Sequence, residues 1–317
     1  MNRRNFVKTA TAIGAAIPFS GTAHEIFSAQ PPIKAKISSF SKLFQFLNYD
    51  ELAALFKESG LDGIDLSVRK GGHVEPEDVE KDLPKAVKAA QKHEISIPSI
   101  VTDILDVDDP LTERVLKTAS DNGVKYYRLA YYLYDNKKSI TTNLEVIRAK
   151  MDRLGEMNAK YNISGGYQNH CGNQYFGSSL WDMWEVIRTI DKTRIGCFYD
   201  IYHGVVEGTQ SWCNAMRLVA PHITTRYIKD FYFTMEKSGI SVNTCQLAEG
   251  IVNFKAYFKL CKELNLDELP FCLHVEYDLF NEDEKKLPYI EKYKKALFIM
   301  KRDTDKLKSL IVENGMI

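Results

Sequence analysis

The chain has 317 residues, of which 44% are hydrophobic and 26% charged, and its 42 basic side chains balance its 42 acidic ones. This neutrality excludes the strong positive field with which proteins bind nucleic acid or an anionic membrane surface. The length suffices for two ordinary domains or for one α/β barrel.

The N-terminus carries the pattern of a twin-arginine export signal. The paired Arg3 and Arg4 precede an aromatic, an aliphatic and a lysine residue, and residues 9–19 are almost uncharged. That apolar run is too short to span a bilayer, and a paired arginine is an address read by a receptor. We therefore predict that residues 1–29 are a signal peptide and that the mature protein is periplasmic. The alternative is a basic, apolar N-terminal helix that stays on the chain.

From Ile33 onward, short apolar runs alternate with amphipathic segments such as Asp78–His93 and Leu144–Tyr161. Strict alternation of strands and helices with short connections indicates a parallel sheet, and eight such units indicate a closed (β/α)8 TIM barrel over residues 30–317. The alternative is a doubly wound open sheet in two domains. No strand is followed by Gly-x-Gly-x-x-Gly or a P-loop, so we expect no nucleotide cofactor. The predicted strands are Lys34–Ser38, Gly63–Val68, Ser96–Val101, Lys125–Ala130, Ile163–Gln168, Ile195–Ile201, Ile223–Lys229 and Phe271–Tyr277.

Six cysteines are scattered along the chain without a Cys-x-x-Cys pair. This spacing argues against a zinc ribbon and against a redox motif. We interpret the cysteines as small, buried apolar residues.

Polar side chains gather at the carboxyl ends of the predicted strands, where the active site of such a barrel lies. Asp200 and Glu276 follow apolar strands and would be costly to bury unpaired. They are therefore ligands, catalytic groups or ion-pair partners of Arg69, Arg128 or Lys229. Carboxylates and imidazoles that arrive from different strands suit a hard or borderline cation. The other polar residues at these ends are Ser39, His73, Thr102, Asp103, Gln168, Asn169, His170, His203, Asp230 and His274.

Six segments together resemble the xylose-isomerase-like barrels of sugar phosphate isomerases and epimerases, in the same order and over nearly the whole mature chain. The resemblance implies a barrel that binds a divalent metal and a ketose-like or keto-sugar substrate, with proton transfer beside a carbonyl. The segments are Gly72–Pro76, Tyr167–Gly172, Phe198–His203, Ile228–Phe231, Leu247–Phe254 and Leu273–Tyr277.

The resemblance also implies a metal site built from a Glu ending strand five, an Asp ending strand six, a His on strand seven and a Glu ending strand eight. Asp200 and Glu276 match two of these places, whereas Gln168 replaces the strand-five Glu and Tyr227 replaces the strand-seven His. His170, two residues after Gln168, is a further polar group on that strand. An amide oxygen carries no formal charge, so we expect Asp200, Glu276 and Gln168 to hold any Mn, Zn or Mg ion weakly.

We therefore expect an exported enzyme that moves a proton beside the carbonyl of a sugar or keto-sugar, and not of a sugar phosphate. The alternatives are a 3-keto-glycoside lyase that acts by β-elimination and a sugar-binding barrel without catalysis. A DNA-repair endonuclease, which shares the fold, is disfavoured by the near-zero charge and the export signal. We expect a small carbohydrate as partner, no nucleic acid and no membrane span in the mature chain. The sequence leaves open whether the protein forms a homo-oligomer.

Each candidate residue receives a role from these arguments. Glu276 is the leading base, His170 is the candidate second proton carrier, and Lys229 is a candidate to stabilise an enolate oxygen. His203 matches a position that contacts substrate in the family, and Glu249 matches the acidic residue of its Gly-Glu-Gly segment. The residues predicted to bind substrate are His73, Arg128, His203, Glu249 and His274.

Overall fold

Eight parallel strands close into a barrel in the computed structural model, which describes residues 33–237 and 239–317. The predicted signal peptide lies outside the described residues. In chain order the barrel strands are β1 (Ile37–Phe40), β2 (Gly63–Ser67), β3 (Ser96–Val101), β4 (Tyr126–Arg128), β5 (Ser164–Gln168), β6 (Ile195–Asp200), β7 (Ile223–Ile228) and, after an inserted hairpin, β10 (Phe271–Leu273). Neighbours in the chain are neighbours in the barrel, and β10 pairs with β1 to close it. The predicted (β/α)8 barrel is confirmed, and the doubly wound alternative is wrong.

Helices follow the barrel strands and form the outer layer. They are α1 (Tyr49–Glu58), α2 (Val79–Lys92), α3 (Pro110–Asp121), α4 (Ile140–Tyr161), α5 (Trp181–Ile187), α6 (Ile201–Gly208), α7 (Trp212–Val219), α8 (Phe254–Glu263) and α9 (Tyr289–Glu313). Local sequence sets their starts, because Asn48 and Glu51 form a capping box on α1 and Ser139 caps α4. Within the described ranges, no helix combines the length and the apolarity needed to cross a membrane.

Aromatic packing inside the barrel depends on a glycine in β5. The ring of Phe198 fills the space beside Gly166, where even a Cβ atom would collide with it. Phe198 also packs against Tyr227, with ring centroids 5.5 Å apart. This close packing fixes β5 against β6, so that the residues ending the two strands meet at the barrel mouth.

A β-hairpin that the sequence analysis missed follows β7. Strand β8 (Asp230–Glu236) pairs antiparallel with β9 (Gly239–Cys245), outside the barrel. Its apolar residues are largely exposed, for example Met235 at 81%. Their spacing therefore lacks the periodic pattern of residues that face a core. The three backbone N–H groups of Phe231, Gly250 and Val252 donate to the Asp230 carboxylate, which ties the hairpin and the following loop to the end of β7.

The bounds of strands β1 and β10 and the burial of the cysteines depart most from expectation. Strand β1 lies at Ile37–Phe40 and not at Lys34–Ser38, because Ile37 to Ser39 pair with β10 and the Ser39 hydroxyl donates to Leu273 O at 2.7 Å. Strand β10 ends at Leu273, before Glu276. All six cysteines are free, but only Cys197, Cys261 and Cys272 are buried as predicted; Cys171, Cys213 and Cys245 are partly exposed.

Candidate active site

Lys229 lies at the centre of the polar groups in the barrel mouth. It follows β7 directly, and its side chain is 5% exposed. Its Nζ lies 2.6 Å from Glu276 Oε2, 2.9 Å from His203 Nε2 and 3.3 Å from Asp200 Oδ2. The structure therefore brings together four residues that the sequence analysis selected at the ends of three different strands.

The position of Asp200 is fixed by its neighbours. Asp200 ends β6 and caps α6, where its Oδ1 accepts from the His203 backbone N–H at 3.4 Å. The Asn169 side chain accepts from the Asp200 N–H at 2.7 Å and donates to the Asp200 carbonyl at 3.0 Å. Asp200 is fully buried; the Asn169 bonds fix its backbone, and the His203 N–H holds one oxygen of its carboxylate.

The orientation of the Gln168 amide follows from its partners. Its Oε1 accepts from Arg128 Nη1 at 3.2 Å and from the Tyr131 hydroxyl at 2.6 Å, and its Nε2 donates to Asp200 Oδ2 at 2.7 Å. A guanidinium group only donates, so the amide oxygen must face Arg128. The Arg128 guanidinium also lies over the Tyr131 ring, 4.6 Å from its centroid. Tyr131 was missed by the sequence analysis; its position three residues after Arg128 was the available signal.

The rings of His170 and His203 pack against each other beside this network, with centroids 4.1 Å apart and their planes tilted by 32°. His170 Nδ1 lies 2.9 Å from the Cys171 carbonyl oxygen, which only accepts, so the neutral ring carries its proton on Nδ1 and has its lone pair on Nε2. His203 Nδ1 lies 3.1 Å from both the amide nitrogen and the Sγ of Cys171. Burial lowers the pKa of both rings, that of His203 to well below its usual range. Both imidazoles are therefore neutral at pH 7.

Lys229 and Glu276 hold each other in their charged forms. Burial alone would lower the pKa of the Lys229 ammonium, but the Asp200 and Glu276 carboxylates outweigh burial and raise that pKa above its usual range. Burial alone would raise the pKa of Glu276, but Lys229 holds that pKa well below its usual range. Glu276 is 20% exposed, and its Oε1 lies 3.6 Å from the ammonium of Lys42, a residue that the sequence analysis missed.

The structure places three predicted substrate residues outside this network. Both ring nitrogens of His73 are engaged, with the Ser67 hydroxyl and the Phe44 carbonyl, each at 3.2 Å. Glu249 is exposed in the loop before α8. His274 is buried, and its Nδ1 is 3.9 Å from Glu276 Oε2, beyond hydrogen-bond distance.

The residues predicted to hold a divalent metal do not fit one. The Lys229 ammonium lies between Asp200 and Glu276, and the Gln168 oxygen is directed at Arg128. Tyr227, in the place of the family histidine, donates to Asp65 Oδ2 at 3.1 Å. Two other groups could hold an ion, since their ligand atoms lie within 4.8 Å of one another: His170, Cys171 and His203, and Asp65, Cys272 and His274.

One surface cavity lies elsewhere. It has a volume of about 310 Å³ and lies between α7 and α8, lined by residues such as Trp212, Arg217 and Glu263. These side chains belong to the outer helical layer, whereas reactive groups of (β/α)8 enzymes lie at the carboxyl ends of the strands. The barrel mouth is therefore the better candidate for the active site.

Comparison with known proteins places the fold. A family model described as "Xylose isomerase-like TIM barrel" matches residues 53–298. The 3-keto-D-glucoside 4-epimerase of E. coli is 14% identical, with a TM-score of 0.62, and the match covers 84% of this chain and 99% of that one. A xylose isomerase-like protein of Mycobacterium smegmatis, solved in complex with magnesium, is 14% identical with a TM-score of 0.62, covering 88% and 97%. A D-psicose 3-epimerase solved in the presence of D-fructose is 11% identical with a TM-score of 0.64, covering 88% and 100%. No curated protein sequence matches the chain.

Proposed function

Because the chain belongs to the xylose isomerase-like TIM barrel family, we propose that it is an enzyme that transfers a proton beside the carbonyl of a sugar or keto-sugar. The observation that carries this proposal is the Lys229–Glu276 pair in the barrel mouth, with a distance of 2.6 Å between Nζ and Oε2. The pair combines a carboxylate that accepts a proton with a cation that stabilises negative charge.

Glu276 is the proposed base. Its Oε2 is held by Lys229, while the side chain is partly exposed and so within reach of a ligand. The carboxylate takes the proton from the carbon beside the carbonyl, and the electron pair of the broken C–H bond moves onto the carbonyl oxygen. Lys229 and Arg128 stabilise the resulting enolate by their charge, because both are at most 5% exposed and poorly screened by water.

Gln168 occupies the position where the family has its second carboxylate base. Gln168 cannot accept a proton at ordinary pH, and its amide is occupied by Arg128, Tyr131 and Asp200. His170 is the proposed second proton carrier, because its ring is neutral and its Nε2 lone pair is not used by Cys171. A two-base epimerisation therefore requires His170, whereas an isomerisation on one face of the substrate does not.

A 3-keto-glycoside lyase is the second candidate. The same proton is removed, but the electron pair expels the aglycone as its alcohol after protonation of the leaving oxygen. A single carboxylate base, with Gln168 in place of its usual partner, favours this reaction over a two-base epimerisation. A sugar-binding barrel without catalysis is the outcome if no chemistry is found.

The experiment that tests the proposal is incubation of the protein, lacking residues 1–29, with 3-keto-glycosides, ketoses and unoxidised glycosides in heavy water. NMR of the products then reports deuterium beside the carbonyl. A deuterated isomer or epimer supports the first function, and release of the aglycone supports the lyase. Binding of a keto-sugar with neither turnover nor exchange contradicts both and favours the binding protein.

We also propose that the protein acts outside the cytoplasm, on the basis of Arg3 and Arg4 and the uncharged run behind them. Replacing both arginines by lysine keeps the charge but removes the guanidinium pair, and we expect export to stop. Lys8→Arg is the control for a conservative change in the same segment. Undiminished appearance of the double variant in the periplasm would contradict the proposal.

A further inference from the structure

We propose that the ammonium of Lys229 is the resident cation of this site and takes the place of a divalent metal between Asp200 and Glu276. The inference concerns the same site as the proposed function, but it rests on the geometry of binding. Its test measures metal affinity without a sugar, so either idea can fail while the other stands.

The Lys229 ammonium occupies the space between the two carboxylates. Its Nζ lies 2.6 Å from Glu276 Oε2 and 3.3 Å from Asp200 Oδ2, two carboxylate oxygens that suit its N–H donors, and 2.9 Å from the ring nitrogen His203 Nε2. Divalent metals bind such atoms at about 2.0–2.2 Å. An ion bound to the same three atoms would therefore occupy the volume that Nζ fills.

The residues at the remaining ligand positions already form hydrogen bonds with other groups. Gln168 presents its N–H to Asp200 at 2.7 Å, while its oxygen accepts from Arg128 and Tyr131. The Tyr227 hydroxyl donates to Asp65 Oδ2. Neither residue directs a lone pair at the point between Asp200 and Glu276. An ion at that point would be surrounded by two carboxylates and one imidazole, all of which already contact Lys229.

The charges of the site also disfavour a divalent ion. Lys229 and Arg128 balance Asp200 and Glu276, and three of these four side chains are at most 5% exposed. A dication added to this balanced group would leave two uncompensated positive charges in a poorly hydrated place, which is unfavourable. Removing the Lys229 ammonium reverses the situation, because the Asp200 and Glu276 carboxylates then face each other without a cation between them.

The test is titration with Mn²⁺, followed by the electron paramagnetic resonance signal of the free ion. Mn²⁺ prefers oxygen ligands, so the sulfur-containing group of His170, Cys171 and His203 contributes little. We expect the wild-type protein and Lys229→Arg to leave Mn²⁺ free up to about 1 mM, the weak end of protein sites for hard cations. Lys229→Ala should bind one equivalent at least about tenfold more tightly, since its carboxylates lose their counter-ion. Adding Asp200→Asn should abolish that gain.

Stoichiometric Mn²⁺ binding by the wild-type protein that Asp200→Asn removes would overturn the proposal. So would a Lys229→Ala variant that retains the wild-type circular dichroism and melting transition yet binds Mn²⁺ no better. The comparison of wild type with Asp200→Asn needs no change at Lys229, and therefore decides the matter even if Lys229→Ala does not fold.

Discussion

The Nζ of Lys229 lies 2.6 Å from the Oε2 of Glu276, so the cation and the proposed base form a single charged unit at the mouth of the barrel. Lys229 keeps Glu276 ionised, which a base requires, and at the same time lowers its basicity. The compensation is that the same cation stabilises the enolate formed when the proton leaves carbon. A metal ion bound to a carboxylate base would make the same compromise.

Removing the Lys229 charge should raise the pKa of Glu276. In the wild-type protein Lys229 outweighs burial and holds the Glu276 pKa well below its usual range. In Lys229→Met the main charge that opposes burial is lost, so the carboxyl group should become protonated at a higher pH than in the wild type. Carbon-13 NMR titration of labelled glutamate, assigned with Glu276→Gln, measures the change. A Glu276 titration that is identical in the two proteins would show that Lys229 does not control the base.

Replacing Gly166 by alanine should destabilise the barrel. The new Cβ atom would collide with the buried Phe198 ring, and overpacking of this kind costs about 1–3 kcal/mol. Gly155→Ala is a matched control in α4, because its Cβ would lie 3.6 Å from the nearest atom, an ordinary contact. Alanine at this helix position should raise the free energy of unfolding by about 0.5–1 kcal/mol. Urea denaturation measures both, and equal effects at the two sites would contradict the packing argument.

His73 should make the free energy of unfolding depend on pH. Burial lowers its pKa to about 4, below the usual value of 6.5 for an unfolded histidine. The unfolded chain therefore binds the proton first, and stability falls as the pH falls from 6.5 towards 4. With a discount for partial exposure, the loss is about 2 kcal/mol.

His73→Asn tests this prediction by urea denaturation at several pH values. The variant should show a shallower loss of stability between pH 6.5 and pH 4 than the wild type. His93→Asn, at the end of α2, is the control for removal of a histidine. If the slope for His73→Asn equals that of the wild type, the ring does not carry the pH dependence.

The barrel could be predicted from sequence because most strands lie in short apolar runs, which hydrophobic periodicity detects. Strand β1 was shifted by three residues at its start, since its serines look like a turn and pair with β10 only in the closed barrel. The β8–β9 hairpin was missed because its apolar residues face solvent. Such long-range pairing and exposure leave no local pattern.

The candidate site could be predicted as a set of residues but not as a network. Asp200, Lys229 and Glu276 were identified because they end predicted strands, and strand ends meet at one rim. The bridging position of Lys229 was not predictable, because it depends on side-chain geometry across β6, β7 and β10. The same holds for the Gln168 amide, whose orientation is set by Arg128.

Measurement of the rate of deuterium incorporation beside the carbonyl of a keto-sugar at pH 7 decides whether Glu276 is the base. It compares the wild-type protein, Glu276→Gln and the control Glu145→Gln, which changes an exposed residue of α4. We predict that Glu276→Gln lowers the rate by about 10² or more, the scale for loss of a general base, and that Glu145→Gln leaves it unchanged. Equal exchange by the wild-type protein and Glu276→Gln would show that Glu276 is not the base.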